Sequence, residues 1–344
     1  MTRVRRFTGH QLFLPVLALT LLMIYNIIYV DNFLTLEMIN GQLHGRLIDI
    51  LNRSASLIVI TIGMTFVVGA GGIDISVGSI IAITGAVACY LIGGQADGST
   101  NLSLWLVIPI SILVGGICGI WNGFLVAKLK IQPIVATLIL QTAGRGIAML
   151  ITQGQILTVY HRPFAYIGGT IPGSILPTTI FIAALIILAT AILLKKTSFG
   201  LFVQSVGINR MAARYSGMNI TAVIMFAYVI SGLLAGLAGV MESSMISAAD
   251  ANNAGYRFEA NAILSVALGG TLLSGGRFTL AGSIIGAITI QTLTTTMYAR
   301  GVNSEHLPVI QAIVVILITL LQSDIFKAMF RRAPRAFTGK VGSA

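Results

Sequence analysis

Asp74 is the most informative acidic residue because uncharged sequence flanks it on both sides. It lies in the sequence Gly-Gly-Ile-Asp-Ile-Ser-Val-Gly (71–78), between two long apolar runs. An ionised carboxylate is costly in hydrocarbon, so an acid at such a position anchors the structure or takes part in function. Gly71 and Gly72 indicate a helix break, after which Asp74 or Ser76 is expected to cap the next helix. Two interpretations stay open, a helix cap alone or a direct role in a pathway or gate.

Residues 195–219 form the main polar segment between apolar runs. Asn209 is expected to cap a short helix that Gly217 closes at its C-terminal end. Such a helix, exposed and containing the small residues Ala212 and Ala213, is suited to dock into a cleft on a soluble partner. The alternative is an ordinary helix that lies on the membrane surface.

The motifs of a self-contained catalyst are missing from the chain. It has no G-x-x-x-x-G-K-[ST] sequence, so it binds no ATP through a P-loop. Its four histidines lie outside the apolar runs, and its two cysteines lie inside them without metal-type spacing. Glu242, Asp250 and Glu259 are expected near the outer surface, as solvated or docking residues. An intramembrane hydrolase is therefore disfavoured, and so is a proton-driven carrier, which usually needs several ionisable groups within its helices.

Composition explains which elements must position these residues. The chain has 344 residues, of which 56% are hydrophobic and only 9% charged. A soluble globular protein carries roughly 25% charged residues, so a water-soluble enzyme is excluded. A membrane-spanning helix needs about 20 apolar residues, and runs of that kind recur along the whole chain. The sequence therefore predicts an all-α, polytopic membrane protein with no separate soluble domain.

The basic residues fix the expected topology, because positively charged loops stay in the cytoplasm. They cluster before the first run, at 128–130, in 195–219 and in the tail at 324–344. This distribution also argues against nucleic-acid binding, in spite of the net charge of +11. Placing these groups inside predicts ten transmembrane helices with both termini cytoplasmic, including the N-terminal segment 1–10. The expected helices are about 11–30, 54–70, 78–95, 103–127, two within 131–194, 217–247, 258–273, 278–298 and 307–323.

The glycine motif at 71–78 has a second copy later in the chain. Residues 71–81 and 275–285 share the pattern GG-x5-GSII, and the same offset carries the apolar run 11–30 onto 215–234. We therefore expect two parallel four-helix repeats separated by a two-helix insert, since paired glycine-interrupted segments point to the pathway in transporters. The alternative is a chance match between residues that are common in membrane helices. The candidate helix-break, gate or pathway residues are Gly71, Gly72, Asp74, Ser76, Gly78, Asn122, Gly275 and Gly276.

Several segments, taken together, resemble the membrane permeases of ribose-type sugar ABC importers. They include Gly63-Met64-Thr65 followed by 71–78, Trp121–Val126 with Pro133–Leu138, Val206–Asn209 with Ala212-Ala213, and Gly269–Thr271 with Gly275-Gly276. The resemblance covers roughly residues 50–325, and segment 40–53 is most similar to the galactofuranose-importing members. Leu201 and Ile208 depart from the family pattern.

The resemblance implies one permease domain over 1–344 in the bacterial inner membrane, with no enzymatic activity and no bound cofactor of its own. A cytoplasmic ATPase would dock on 195–219, and the residues implied for this coupling are Gly207, Asn209, Ala212, Ala213 and Gly217. A periplasmic binding protein would deliver a monosaccharide such as galactofuranose or galactose. A second permease copy or a paralogue would complete the pathway in the lipid bilayer. The alternatives are an ABC permease for another small solute, such as a branched-chain amino acid, and an ion-coupled carrier.

Overall fold

The computed structural model describes residues 12–39, 41–93 and 101–322. The predicted cytoplasmic segments 1–10 and 324–344 therefore lie outside the described residues. Within the described ranges the chain is almost entirely helical. The helices are α1 (Phe13–Tyr29), α2 (Arg46–Gly69), α3 (Val77–Ile92), α4 (Leu104–Gly123, continued by a π-helical turn at Phe124–Lys128), α5 (Pro133–Ile151), α6 (Arg162–Gly168), α7 (Thr178–Lys196), α8 (Phe199–Ile208), α9 (Arg210–Tyr215), α10 (Ile220–Ile246), α11 (Phe258–Leu268), α12 (Leu280–Ala299) and α13 (Leu307–Gln322).

Ten of these helices correspond to the ten predicted membrane segments. Six are long and apolar enough to cross a bilayer, namely α2, α4 with its π-helical turn, α5, α7, α10 and α12. The other four, α1, α3, α11 and α13, are shorter apolar helices. The predicted crossing at 258–273 is wrong in its extent, because α11 has only 11 residues. At 1.5 Å per residue it is about 16 Å long, roughly half the hydrocarbon thickness.

Two short antiparallel strand pairs are added to the helical bundle. Strand β1 (Glu37–Ile39) pairs with β2 (Gln42–His44) in the connection between α1 and α2. Strand β3 (Leu157–Thr158) pairs with β4 (Ala248–Ala249), the residues that follow α10. These pairs satisfy backbone groups in loops and leave the fold helical.

Helix α10 lies at the centre of the bundle, packed against α2, α3 and α4. Glycines on α4 and α10 allow the close approach. A Cβ atom on Gly115 would lie 2.8 Å from the Cα of Gly236, and one on Gly232 would lie 2.8 Å from the Cα of Gly119. A side chain at either position would therefore clash, and the two helix backbones pack directly against each other. Small residues that permit such close packing are common where helices associate in lipid.

The positions of several helices follow the sequence offset between the two expected repeats. The sequence offset of 204 carries α1 onto α10, α3 onto α12 and α4 onto α13. Helix α3 of the first repeat packs on α10 of the second, and the equivalent helix α12 of the second repeat packs on α1 of the first. Such reciprocal packing is expected of a two-fold arrangement. Helices α5 and α7 form the insert. The residues between α2 and α3, and those between α11 and α12, carry the two copies of the glycine motif.

Candidate functional site

The two copies of the glycine motif are in direct contact. Gly71 and Gly275 occupy equivalent positions, and both have left-handed backbone angles, with φ of 76° and 94°. A Cβ atom on Gly275 would lie 2.8 Å from the Cα of Gly71. The backbone N–H of Gly276, with φ of 103°, donates a hydrogen bond of 3.0 Å to the carbonyl oxygen of Gly69. Both the conformation and the contact therefore require glycine here.

Asp74 lies at the centre of a buried polar network just after the first glycine turn. Its side chain is fully buried. One carboxylate oxygen, Oδ1, accepts hydrogen bonds from the backbone N–H (3.1 Å) and the hydroxyl (2.6 Å) of Ser76. The other oxygen accepts from the hydroxyl of Ser231 on α10, at 2.9 Å. Asn122 on α4 donates to the Ser76 hydroxyl at 2.7 Å and to Asp74 Oδ1 at 3.4 Å.

This network replaces the predicted helix cap. Neither Asp74 nor Ser76 accepts a hydrogen bond from an N–H group inside α3, so that part of the prediction is wrong. The carboxylate binds the N–H of Ser76, one residue before the helix begins, and its second oxygen accepts from Ser231. Through Asn122 and Ser231 the segment 70–76 is attached to α4 and α10 at once.

Two further side chains hold the segment between α2 and α3. The hydroxyl of Tyr228 on α10 donates to the carbonyl oxygen of Ile73, at 3.2 Å. The hydroxyl of Thr137 on α5 accepts from the N–H of Ile75, also at 3.2 Å. A non-helical segment at membrane depth has to find partners for its backbone groups within the protein, and these two residues provide them. Sequence reasoning did not single them out, since one Tyr and one Thr in apolar helices carry no distinctive signal.

Gly78 lies at the opposite end of this region, beside the loop that follows α10. A Cβ atom there would lie 2.6 Å from the carbonyl oxygen of Gly255 and would overlap the carboxylate of Glu259. The other carboxylate oxygen of Glu259 accepts a 3.3 Å hydrogen bond from Gln141 on α5. Glu259 is therefore partly buried against α3 and α5, whereas the sequence suggested a solvated or docking residue.

The predicted coupling segment packs directly on both glycine turns. A Cβ atom on Gly207, in α8, would overlap the carbonyl oxygen of Gly69 and the amide nitrogen of Gly276. Arg210 donates to the carbonyl oxygens of Gly71 (3.4 Å) and Ala70 (3.5 Å). Helix α8, with Arg210 at the start of α9, thus contacts both glycine turns.

The five residues predicted for coupling divide into two sets. Gly207 is half-buried and Ala213 is 3% exposed, so both face the bundle. Asn209, Ala212 and Gly217 are exposed. The Asn209 side chain accepts a 3.0 Å hydrogen bond from the N–H of Ala212 and so caps α9, and Gly217 follows the helix with φ of 80°.

Sequence reasoning named Ile208 only as a departure from the family pattern and did not single out Met211 and Tyr215. Ile208 is 65% exposed, Met211 56% and Tyr215 83%. Met211 lies between Arg210 and Arg214, while Ile208 precedes these arginines and Tyr215 follows them. The available signal was this combination of isolated apolar residues with arginines in a polar segment. We call Ile208, Met211 and Tyr215 the apolar patch of α8–α9.

The charge at this end of the bundle is positive. We call it the basic end, defined by Lys128, Lys130, Lys195, Lys196, Arg210 and Arg214. Residues 98–241 contain no Asp or Glu. Among the described residues no group of His, Cys, Asp and Glu side chains could hold a metal ion. The arrangement consists of two broken helices, a buried hydrogen-bond network around Asp74, and a surface segment that contacts both breaks.

A bundle of this kind, with paired broken helices joined by a surface segment, has the architecture of a membrane transporter. Residues 46–320 match the family model described as "Branched-chain amino acid transport system / permease component". The chain belongs to this family and is a multi-pass membrane permease component.

Among its relatives, the galactofuranose transporter permease protein YtfT of Escherichia coli is 41% identical over 96% of this chain and 95% of its own length. The fructose import permease protein FruF of Bifidobacterium longum is 37% identical over 93% of this chain and 90% of its own length. The ribose import permease protein RbsC of Haemophilus influenzae is 35% identical over 80% of this chain and 84% of its own length. No solved structure is significantly similar to the chain.

Proposed function

We propose that this chain is the permease subunit of an ABC importer that moves a monosaccharide, such as galactofuranose or galactose, across the bacterial inner membrane. The observation that carries the proposal is the nearly end-to-end similarity to a galactofuranose permease, at 41% identity. The relatives that import fructose and ribose support a sugar as the substrate class. The chain contains no P-loop, so ATP would be bound and hydrolysed by a separate subunit, and this chain would hold no cofactor.

The basic end would face the cytoplasm, since loops rich in Lys and Arg are retained there. Both termini, including residues 1–10 and 324–344, would then be cytoplasmic. The ATPase would dock on the apolar patch of α8–α9, together with the exposed residues Asn209, Ala212 and Gly217. Its movement would reach the glycine turns through Gly207 and Arg210, because these two residues contact the turns directly.

The remaining partners would bind elsewhere on the bundle. A periplasmic binding protein would deliver sugar to the end opposite the basic one, beside the loop 247–257. A second copy of the chain, or a paralogous permease, would complete the pathway in the bilayer. Specificity would then depend on the binding protein as well as on the permease.

Purification of the chain from its native membrane in mild detergent, with mass spectrometry of what is retained, tests the ABC assignment. We expect a P-loop ATPase in stoichiometric amount. Tyr215→Asp combined with Ile208→Asp should release the ATPase, because two charges would replace apolar contact surface. The matched control is Tyr160→Asp, at a tyrosine that is 84% exposed outside the segment. A chain that is purified alone and transports solute in liposomes without ATP would contradict the proposal and favour an ion-coupled carrier.

A branched-chain amino acid is the second candidate substrate, because the family model is described by that substrate class. Uptake of labelled galactofuranose, galactose, ribose, fructose and leucine can be compared in cells with and without the gene. We expect loss of uptake of one sugar, restored by a plasmid copy, with leucine uptake unchanged. Loss of leucine uptake alone would assign the amino acid instead.

A further inference from the structure

A cavity of about 620 Å³ opens at the basic end, between the π-helical turn after α4 and the beginning of α10. Three cationic side chains line it: Lys130, Arg210 and Arg214. Neutral polar groups of Gln132, Asn219 and Thr221 add hydrogen-bonding capacity. The cavity is thus a concave, positively charged site, separate from the buried network of Asp74.

No acidic side chain is among the residues that line this cavity. Residues 98–241, which supply every lining residue, contain neither Asp nor Glu. Lys130 is also held in the left-handed backbone conformation, with φ of 58°, directly after the π-helical turn at Phe124–Lys128. Non-glycine residues in that conformation and π-helical turns are both concentrated at functional sites. These features indicate that the cavity is built to bind an anion.

The rest of the lining identifies the kind of anion. Val126, Ile131 and Ile224 add apolar surface to the lining of the cavity. Next to them, Leu129 is 53% exposed and Phe226 is 61% exposed, as expected of side chains that face lipid. An anion with a hydrocarbon part fits these two surfaces together, and the ends of the apolar helices place the cavity at the membrane surface.

We propose that this cavity binds the phosphodiester headgroup of an anionic phospholipid. Basic pockets between transmembrane helices on the cytoplasmic side are suited to such headgroups. Lys130 and Arg214 would contact the phosphate. The guanidinium group of Arg210 would donate to the phosphate as well as to the carbonyl oxygens of Ala70 and Gly71. A bound lipid would therefore lie beside the first glycine turn and the coupling segment.

The test measures binding of fluorescent phosphatidylglycerol to the purified full-length chain in nonionic detergent, with phosphatidylcholine as the comparison lipid. Lys130→Gln combined with Arg214→Gln should weaken binding about 30-fold, since each basic residue near an anionic lipid contributes roughly a factor of five. The matched control, Lys195→Gln with Lys196→Gln, removes the same charge at the end of α7, outside the cavity, and should bind like the wild type. If the double variant fails to fold, Lys130→Arg provides a second test, because it keeps the charge and should retain binding.

The outcomes separate the lipid from other anions. Displacement of the probe by unlabelled phosphatidylglycerol but not by millimolar inorganic phosphate would support the proposal. Equal binding of phosphatidylcholine, or equal loss in both double variants, would overturn it. Displacement by phosphate alone would assign a free-anion site instead. Absence of lipid binding, combined with loss of the copurifying ATPase in Lys130→Gln/Arg214→Gln, would assign the cavity to the protein partner.

Discussion

The first glycines of the two turns share a left-handed conformation, the second glycine is left-handed only in the later turn, and different side chains stabilise the two turns. Gly71 and Gly275 share the left-handed conformation and contact each other. The position three residues later is Asp74 in the first copy and Phe278 in the second. Asp74 is hydrogen-bonded to Ser76 and Ser231, whereas the Phe278 ring meets the ring of Phe66 edge to face, with centroids 5.8 Å apart.

The two turns share the glycines that break the helix, but they differ in the side chain that stabilises the break. Glycine is needed in both copies, because a positive φ and backbone contact exclude other residues. The side chain three residues later can stabilise the break in either of two ways, by hydrogen bonds, as Asp74 does, or by apolar packing, as Phe278 does. In the second copy this connects the turn to the coupling segment, since Phe66 also packs on Phe199 of α8, at 5.4 Å between centroids.

The segments that precede the turns also differ. The offset of 204 places Arg46, the first residue of α2, on Asp250. Where α2 is helical from Arg46, the second copy has a loop at 250–257 and becomes helical only at Phe258. The Asp250 carboxylate accepts from the N–H groups of Asn252 (3.0 Å) and Asn253 (3.2 Å) at the start of this loop. Gly255 and Arg257 have left-handed φ angles of 66° and 67°, which a continuous α-helix does not contain.

The largest effect is expected where α8 contacts both turns. In Gly207→Ala the new methyl group overlaps the Gly69 carbonyl oxygen and the Gly276 amide nitrogen, so the hydrogen bond between these residues is lost as well. We expect a loss of about 4 kcal/mol of stability, measured by thermal unfolding in detergent. Gly146→Ala is the control, because a Cβ atom there has no neighbour within 4 Å. Equal melting of the two variants would contradict the assignment of Gly207 as the joint.

A second test addresses the aromatic stabilisation of the second turn. Phe278→Ala removes a side chain that is 7% exposed and packed on Phe66, which should cost about 3 kcal/mol. Phe278→Leu keeps most of the volume and should cost about 1 kcal/mol. If packing alone matters, transport will follow stability in both variants. Unchanged melting in Phe278→Ala would show that the second turn is held by its glycines without aromatic cover.

The polar stabilisation of the first turn should respond to chemistry rather than to volume. Asp74→Ala leaves the hydroxyls of Ser76 and Ser231 without their acceptor, at a cost of about 2 kcal/mol. Asp74→Asn keeps one oxygen acceptor, and the Ser231 hydroxyl can turn to accept from the new amide, so about 1 kcal/mol is expected.

The transport assay of these two variants distinguishes the two interpretations of Asp74. If it only holds the break, Asp74→Asn will transport in proportion to its folded fraction. Full folding of Asp74→Asn without transport would instead assign Asp74 a direct role in the pathway.

Much of the fold could be predicted from the sequence, because hydrocarbon imposes long apolar runs and glycine pairs mark breaks. The predicted crossing at 258–273 ran past the end of α11, although Gly269-Gly270 marks that end. Gly270 has a left-handed φ of 87°, and Thr271 donates its N–H to the carbonyl oxygen of Val266, as at the C-terminal end of many helices. The boundary was therefore readable from the glycine pair, and the apolar residues beyond it were wrongly counted as helix.

The site was predictable in its residues but less so in their orientation. Asp74 and Asn122 were identified from their types and positions, and the structure brings them into one network. Gly207 and Ala213 matched a pattern expected for docking, yet both face inward, because small residues serve close packing as well as exposed contacts. The apolar patch of α8–α9 could be found only once the fold showed that these side chains have no internal partner.

The smallest expected effect concerns the loop that replaces the first half of a helix in the second copy. Burial raises the pKa of Asp250, but hydrogen bonds from Asn253 and Asn252 and the charge of Arg145 outweigh burial and hold the pKa below its ordinary value of 3.8. A depressed carboxyl pKa stabilises the fold above the unfolded value, and this stabilisation is lost as pH falls through the folded value. We therefore expect the Asp250 carboxylate to keep its hydrogen bonds to the loop at neutral pH, and the loop to become more mobile below about pH 4 as the carboxylate is protonated.

A spin label on residue 256, with both native cysteines replaced by alanine, reports this loosening as increased mobility. Tyr256 is 62% exposed, so the label should not disturb packing. In Asp250→Ala the label should be mobile already at neutral pH and insensitive to acid, because both N–H groups lose their acceptor. A control label at Tyr160 should show no such difference. If the mobility of the wild type is constant from pH 7 to pH 3, Asp250 does not hold the loop. The two copies would then differ by packing rather than by a charged loop residue.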